Sequence, residues 1–250
     1  MRKNARLRKA HRIAILIGLL AIGYFMKDRL IGQPTEGLLI DAGIGFDVET
    51  ADADKVDYTT SVSSYVLTEN SVTSAVYASS APNFPQIREV RQRGLNKRFI
   101  AGFEKVYVIS EDYARYGIRN MLDILFKDQF INDNGYVVVC GGKAQEIMKQ
   151  EIPGYPSSVD FIEGMIDVGY TNNFFSKKYA LIDVFKFVGS EGVNGVLPYI
   201  ELKDGRIQVT GMALFSQDKM VEKLDMEETR MLNILRENIS NGILTIQKSP

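Results

Sequence analysis

The amino-acid sequence predicts an α+β protein of mixed sheets with flanking helices, arranged as two extracytoplasmic domains after an N-terminal membrane helix. Three features lead to this prediction. A basic tail precedes an apolar segment, strand and helix periodicities alternate through residues 38–188, and a hairpin and a helix follow a glycine-rich break. With 250 residues, 45% of them hydrophobic, the chain can bury a core, which excludes global disorder.

The N-terminal tail is strongly basic. Its first twelve residues carry six positive charges and no acid, from Arg2, Lys3, Arg6, Arg8, Lys9 and Arg12. The rest of the chain holds 24 Lys and Arg against 31 Asp and Glu, so it is acidic although the whole chain has a net charge of −1. The asymmetry indicates a separate functional unit. Nucleic-acid binding by the tail is disfavoured, because an apolar segment follows at once and the remainder is acidic.

Residues 13–26 carry no charge and are predicted to form a membrane anchor. The apolar side chains of this anchor are Ile13, Ile15, Leu16, Ile17, Leu19, Leu20, Ile22 and Phe25. A helix of this length spans roughly 21 Å, less than the hydrocarbon core of roughly 30 Å, and Arg12 and Lys27 can snorkel to close the difference. The excess of Lys and Arg before the segment predicts a cytoplasmic tail and an extracytoplasmic body from about Gly32.

Two alternatives to an uncleaved anchor stay open. A cleaved secretory signal has the same charge order and apolar length. However, its nearest small-x-small site, residues 21–23, lies inside the apolar run and precedes the bulky residues 24–26. A buried helix of a soluble core is the other alternative, and it fits poorly beside six cations.

Residues 32–192 are predicted to form the first body domain, entered through a linker at residues 32–37. Strands are expected at residues 38–48, 56–66, 72–77, 105–109 and 136–140, and helices at residues 84–94, 111–117, 118–126, 143–149, 160–168 and 179–188. Val and Tyr alternate with polar residues between residues 59 and 80, which favours an exposed antiparallel sheet. The order of elements over residues 105–149 favours a βαβα unit with a parallel strand pair.

The glycine-rich break at residues 189–195 is the predicted boundary to a smaller α+β domain, residues 193–250. This domain is expected to contain a hairpin, a helix and a final strand. The hairpin is expected at residues 196–215, with its turn at residues 203–205, and the final strand at residues 243–247. The helix is expected to begin at Asp225 and Glu228 and to place Leu232, Leu235 and Ile239 on one face.

A single cysteine, Cys140, and a single histidine, His11, restrict the chemistry. No internal disulfide, zinc ribbon, CxxC pair or HExxH site can form, and no hydrolase with a histidine base. We therefore predict no catalytic, metal or lipidation site and no cofactor. A metal-dependent hydrolase built from converging carboxylates stays open as the enzyme alternative.

Several local motifs are explained better by structure than by chemistry. Gly43-Ile44-Gly45 lacks the third glycine of a dinucleotide site and predicts a strand bend or bulge. Gly141-Gly142-Lys143 follows an apolar strand and opens a helix, which is an arrangement that can bind phosphate. It lacks the first glycine of a P-loop and the Ser or Thr after the lysine, so it predicts a plain strand-to-helix turn. Cys140 ends an apolar strand and is expected to be buried. The acid pairs Glu111-Asp112 and Glu227-Glu228 are expected at helix starts.

From Gly37 onward the chain resembles the C-subunit family of bacterial spore germinant receptors, the GerAC-like proteins, over their N-terminal and middle domains. The most specific segment, residues 211–230, is close to the family pattern GLALFKxDKLVGxLxxEETRGL. The other matching segments are residues 43–47, 102–117, 122–128, 136–147, 181–185 and 196–202.

Three departures from this family pattern affect the interpretation. Family members are usually lipoproteins, but no cysteine precedes Cys140, so the uncleaved helix has to replace the lipid anchor. Phe103 replaces the family's usual histidine, and a usual basic residue is missing at residues 130–132. Family members normally continue into a further C-terminal domain, whereas this sequence ends at Pro250.

The resemblance implies a non-enzymatic subunit in the spore inner membrane that assembles with polytopic receptor subunits during nutrient-triggered germination. Its partners are then membrane proteins and the membrane, and not nucleic acid. The alternative is an extracytoplasmic protein that binds a ligand or a cell-wall precursor, suggested by the turn at residues 141–143. No ligand-binding residue is predicted.

Overall fold

One mixed sheet of nine strands runs through the part of the chain that the structure describes. This structure is a computed structural model and describes residues 17, 38–52, 55–68, 71–172 and 174–236. The strands are β1 (Leu38–Asp52), β2 (Lys55–Leu67), β3 (Val72–Ala81), β4 (Arg98–Ile100), β5 (Val106–Ser110), β6 (Tyr136–Cys140), β7 (Asn194–Lys203), β8 (Arg206–Ser216) and β9 (Lys219–Leu224). Their order is β3-β2-β1-β5-β6-β7-β8-β9, with β4 paired to β1.

The sheet is parallel in its centre and antiparallel at both sides. β1, β5, β6 and β7 pair in parallel, whereas β1-β2-β3 and β7-β8-β9 are antiparallel. Parallel neighbours need a crossover connection, and helices join β5 to β6 and β6 to β7. The predicted mixed sheet with flanking helices is therefore confirmed, as is the parallel pair in residues 105–149.

Seven helices lie between or after these strands in the described residues. They are α1 (Phe84–Arg93), α2 (Glu111–Tyr116), α3 (Arg119–Lys127), α4 (Ala144–Met148), α5 (Ser158–Thr171), α6 (Leu181–Val188) and α7 (Met226–Arg236). Ser110 caps α2 by accepting from the Tyr113 N–H. Asp225 and Glu228 form the predicted capping box, each side chain accepting from the other's backbone N–H.

Helices cover both faces of the sheet near β1 and β2. On one face Tyr58 stacks on Phe84 of α1, with the ring centroids 5.1 Å apart. On the other face a methyl group added at Gly45 would lie 2.5 Å from the Met148 sulfur of α4. Gly45 therefore has to be small for α4 to pack this closely. The ladder between β1 and β2 also shifts register between Asp41 and Gly43, so the bulge predicted for this region is confirmed.

One sequence prediction about exposure is wrong, and two apolar side chains with helical spacing are exposed. The segment between residues 59 and 80 is antiparallel, but Thr59–Ser64 is buried, because β2 lies inside the sheet and under helices on both faces. Phe126 has the correct spacing for the apolar face of α3 yet is 76% exposed, since it lies in the last turn and contacts only the edge of Phe185 among described rings. Leu235 of α7 is likewise exposed.

The chain divides into two compact units, residues 1–38 and residues 39–250. The predicted anchor and basic tail lie outside the described residues except for Ile17, which is helical and exposed. Among the described residues no helix has the length and apolarity needed to cross a membrane. The predicted boundary at residue 193 falls between α6 and β7, where the sheet continues through the β6–β7 pair. That division stays a prediction.

Candidate functional site

The turn at residues 141–143 lies at the carboxyl end of β6 and opens α4. Asp47 of β1 occupies the position where a bound anion would sit. Its carboxylate accepts from the N–H groups of Ala144, at 2.7 Å, and Gln145, at 3.1 Å. Burial raises the pKa of Asp47 in spite of these hydrogen bonds. The free N–H groups of the helix start are therefore satisfied by the protein itself, and the predicted strand-to-helix turn is confirmed.

A polar concavity adjoins this turn. It has a volume of about 310 Å³, and its lining includes Asp47, Glu49, Thr59, Ser80 and Lys143. Lys143 pairs with Glu49 at its rim. The concavity thus offers hydroxyl groups and paired charges, which suit a polar ligand held by hydrogen bonds better than a free phosphate.

Cys140 lies beneath the turn and is fully buried. Burial raises the pKa of its thiol well above the usual value, so the predicted role as a small core side chain is confirmed. Nearby, Glu111 accepts from the Tyr199 hydroxyl and pairs with Arg115 at 2.7 Å. Burial acts to raise the pKa of Glu111, but these two hydrogen bonds hold it below its usual value. Glu111 thus joins α2 to β7, a contact the sequence did not indicate.

Two buried carboxylates lie at the opposite end of the sheet, where β1, β5 and β6 begin. We call this end the amino edge. Asp41 is 3% exposed and accepts from the Ser64 hydroxyl at 2.8 Å. Burial raises its pKa to about 7. Glu104 is fully buried, and burial raises its pKa as well.

Glu104 holds the loops of the amino edge together. One of its oxygens accepts from the N–H groups of Gly102 and Asn132, at 3.0 and 3.2 Å. The Asn132 amide donates back to the Glu104 carbonyl at 2.9 Å. The loop before β5 is therefore fixed against the loop after α3, although they are about thirty residues apart along the chain.

Exposed apolar side chains project from these fixed loops. Phe103 is 57% exposed and Phe130 is 71% exposed. The two loops touch, because a methyl group added at Gly102 would lie 2.7 Å from the Phe130 carbonyl oxygen. In the sequence, both positions stand out only as departures from a family pattern. Their exposure could not be predicted from local periodicity, since both residues lie in loops.

The described residues contain no cluster of three or more His, Cys, Asp and Glu side chains that could hold a metal ion. The acid pairs Glu111-Asp112 and Glu227-Glu228 lie in the first turns of α2 and α7, as predicted. The topology charges Arg2, Lys3, Arg6, Arg8, Lys9 and Arg12 lie outside the described residues.

Fold and site together define a mixed-sheet α+β protein whose buried polar groups hold its own loops and helix ends. Comparison with known families is more specific. A model described as the spore germination protein N-terminal domain matches residues 34–202, more than half of the chain. A second, described as spore germination B3/GerAC-like, C-terminal, matches residues 210–250. The chain therefore belongs to the GerAC-like family of spore germination proteins.

Individual relatives are distant. The spore germination protein GerQC of Bacillus cereus is 20% identical over 138 residues, which are 55% of this chain and 38% of that protein. The chain thus spans about two fifths of the curated relative that it matches. The crystal structure of the GerBC protein covers 76% of this chain and 54% of its own, with 12% identity and a TM-score of 0.39.

Proposed function

We propose that the chain is a membrane-anchored, non-enzymatic subunit of a spore germinant receptor and acts through contacts with polytopic partner subunits. The observation that carries this proposal is the match to the spore germination family over residues 34–202. Nutrient-triggered germination is the process in which such a subunit would act, at the inner membrane of the spore.

The roles of the polar side chains support a non-enzymatic function. Asp47 caps α4, Glu104 joins two loops, and Glu111 joins α2 to β7. A general acid or base has to be free to exchange its proton with a substrate. Each of these carboxylates is instead committed to holding the fold.

The membrane anchor is supported by residues 13–26 and by the preceding basic tail. Two charges in the apolar segment test the anchor, because each Arg at the centre of a membrane helix costs about 2.5–3.5 kcal/mol. In the Leu16→Arg, Leu20→Arg variant, we expect the chain to leave the membrane fraction. Leu7→Arg, which adds a charge to the tail, is the matched control and should stay there. Equal retention of both variants after an alkaline wash would contradict the anchor.

The proposed partners are tested by isolating the full-length chain from spore membranes in mild detergent. We expect multi-span proteins encoded beside it to be recovered with it in a constant ratio. The Leu7→Arg variant should recover the same proteins. Isolation of an intact, membrane-bound chain without any multi-span protein would contradict the assembly.

The concavity beside Lys143 favours one second candidate, an extracytoplasmic protein that binds a polar cell-wall precursor. Its hydroxyl groups and the Glu49–Lys143 pair suit a sugar-peptide ligand. A disaccharide-peptide fragment of the cell wall should then raise the thermal midpoint of the chain, and Ser80→Trp should abolish the increase by filling the cavity. An unchanged midpoint of the wild-type chain would eliminate this candidate.

A further inference from the structure

Large apolar side chains are exposed together at the amino edge. Besides Phe103 and Phe130, the last turn of α3 exposes Phe126, which is 76% accessible. The last residue of β2, Leu67, and the first residue of β3, Val72, pair with each other and are 56% and 47% exposed. Monomeric proteins rarely leave such a group of apolar side chains in water without a partner.

Strand register places Leu67 and the loop carrying Phe103 at one end of the sheet, and α3 ends toward the loop that contacts Gly102 there. Ile40, near the start of β1, pairs with Tyr65, so Leu67 lies level with the first residue of β1. The Ala42 carbonyl accepts from the Lys105 N–H at 2.7 Å, which sets the loop carrying Phe103 beside the same part of β1.

The chain enters the sheet at this edge. β1 begins at Leu38, and eleven residues, 27–37, separate it from the apolar segment at residues 13–26. Fully extended, eleven residues reach at most about 40 Å. If the apolar segment crosses a membrane, the amino edge is thus the part of the body tied to that membrane by the shortest path along the chain.

Contact between the amino edge and lipid would depend on the insertion of apolar side chains and not on charge. The chain after residue 12 carries more acids than bases, so its overall charge gives no attraction to anionic headgroups. Phenylalanine rings gain free energy by leaving water for the acyl boundary. Such a contact is weak alone but becomes effective when a tether keeps it at a high local concentration.

We propose that the amino edge rests on the bilayer, with Phe103, Phe126 and Phe130 inserted into the outer boundary of the acyl region. This inference rests on the membrane anchor of the proposed function. The bilayer then fixes the orientation of the body and leaves the carboxyl end of the sheet, with its concavity, facing away from the membrane.

The chain has no tryptophan, so a single introduced tryptophan reports its own surroundings. The full-length variants Phe103→Trp, Phe126→Trp and Phe130→Trp are reconstituted into phosphatidylcholine vesicles with plain or acyl-brominated lipid. Leu202→Trp is the matched control, because Leu202 is 41% exposed and lies near the carboxyl end of β7, at the opposite end of the sheet. Bromine quenches only tryptophan that reaches the acyl chains.

We expect loss of fluorescence in brominated vesicles for the three phenylalanine positions and none for Leu202→Trp. Flotation of the vesicles reports the anchor separately. A chain that floats with the vesicles but is not quenched at residues 103, 126 and 130 overturns this inference alone. A chain that does not float overturns the anchor and this inference with it. The inference is also overturned if Leu202→Trp is quenched equally. It is overturned too if the three phenylalanine positions leave water only when partner subunits are added.

Discussion

Replacement of Asp41 by Asn should reduce the stability that the folded protein loses as the pH rises. Asp41 is buried on β1, and its carboxyl oxygen accepts from the Ser64 hydroxyl. Burial raises its pKa from 3.8 to about 7, with smaller effects from the charges of Arg91 and Glu104. Asn has nearly the same volume and can still accept the hydrogen bond, but it does not ionise.

The magnitude follows from proton linkage. Between pH values of about 4 and about 7 the folded chain keeps the proton on Asp41, whereas the unfolded chain releases it. The folded state binds more protons in this window, so its stability falls as the pH rises. At about 1.36 kcal/mol per pKa unit, this one group costs roughly 2–3 kcal/mol of the free energy of unfolding between about pH 5 and about pH 8.

Urea unfolding of the full-length chain in one detergent, followed by circular dichroism at both pH values, measures this effect. The wild type should lose stability as the pH rises, and Asp41→Asn should lose roughly 2–3 kcal/mol less. A smaller loss remains in the variant, since burial also raises the pKa of Glu104. Asp123→Asn, at an exposed position of α3, is the control and should behave as the wild type. The same loss in Asp41→Asn as in the wild type would refute the reasoning.

Three further predictions concern packing and capping. Asp47→Ala leaves two helix N–H groups unpaired and should lower the free energy of unfolding in urea by about 2–4 kcal/mol. The control Glu49→Ala should change it by less than about 1 kcal/mol, since the ion pair of Glu49 is exposed. Equal effects of the two substitutions would contradict the capping role. In Gly43→Ala the new methyl group lies 2.6 Å from the Val106 carbonyl oxygen and should lower the free energy of unfolding by about 1–3 kcal/mol. In the control Gly164→Ala the methyl group meets open space in α5, and the free energy of unfolding should rise by up to about 1 kcal/mol. The Cys140 thiol is fully buried and should react with a maleimide only as fast as the chain unfolds; rapid labelling of the folded chain would contradict its burial.

Local patterns predict the elements with strong periodicity or clear turn chemistry. The hairpin around residues 203–205 is an example, because Asp204 and Gly205 take the positive φ values that its tight turn requires. The sequence does not predict strand β9. The turn before it has Gln217 at a φ of 54°, a position where glycine or asparagine is usual, and glutamine gives no turn signal.

Burial and the candidate site depend on contacts that are distant along the chain. The serines and threonines of β2 suggest a solvent-exposed strand, but helices cover both of its faces. Asp47 caps a helix about one hundred residues further along the chain. The apolar amino edge likewise arises from strand register and loop contacts, which a local pattern does not contain.

The most direct test of the proposed function is nutrient-triggered germination of spores that lack the gene. Germination is measured as the fall in optical density after nutrient addition, with a trigger that bypasses nutrient receptors as the control. We expect a slowed or lost nutrient response and an unchanged control response. The wild-type gene should restore the nutrient response, and the Leu16→Arg, Leu20→Arg variant should not. An unchanged nutrient response in the deletion spores would contradict the account.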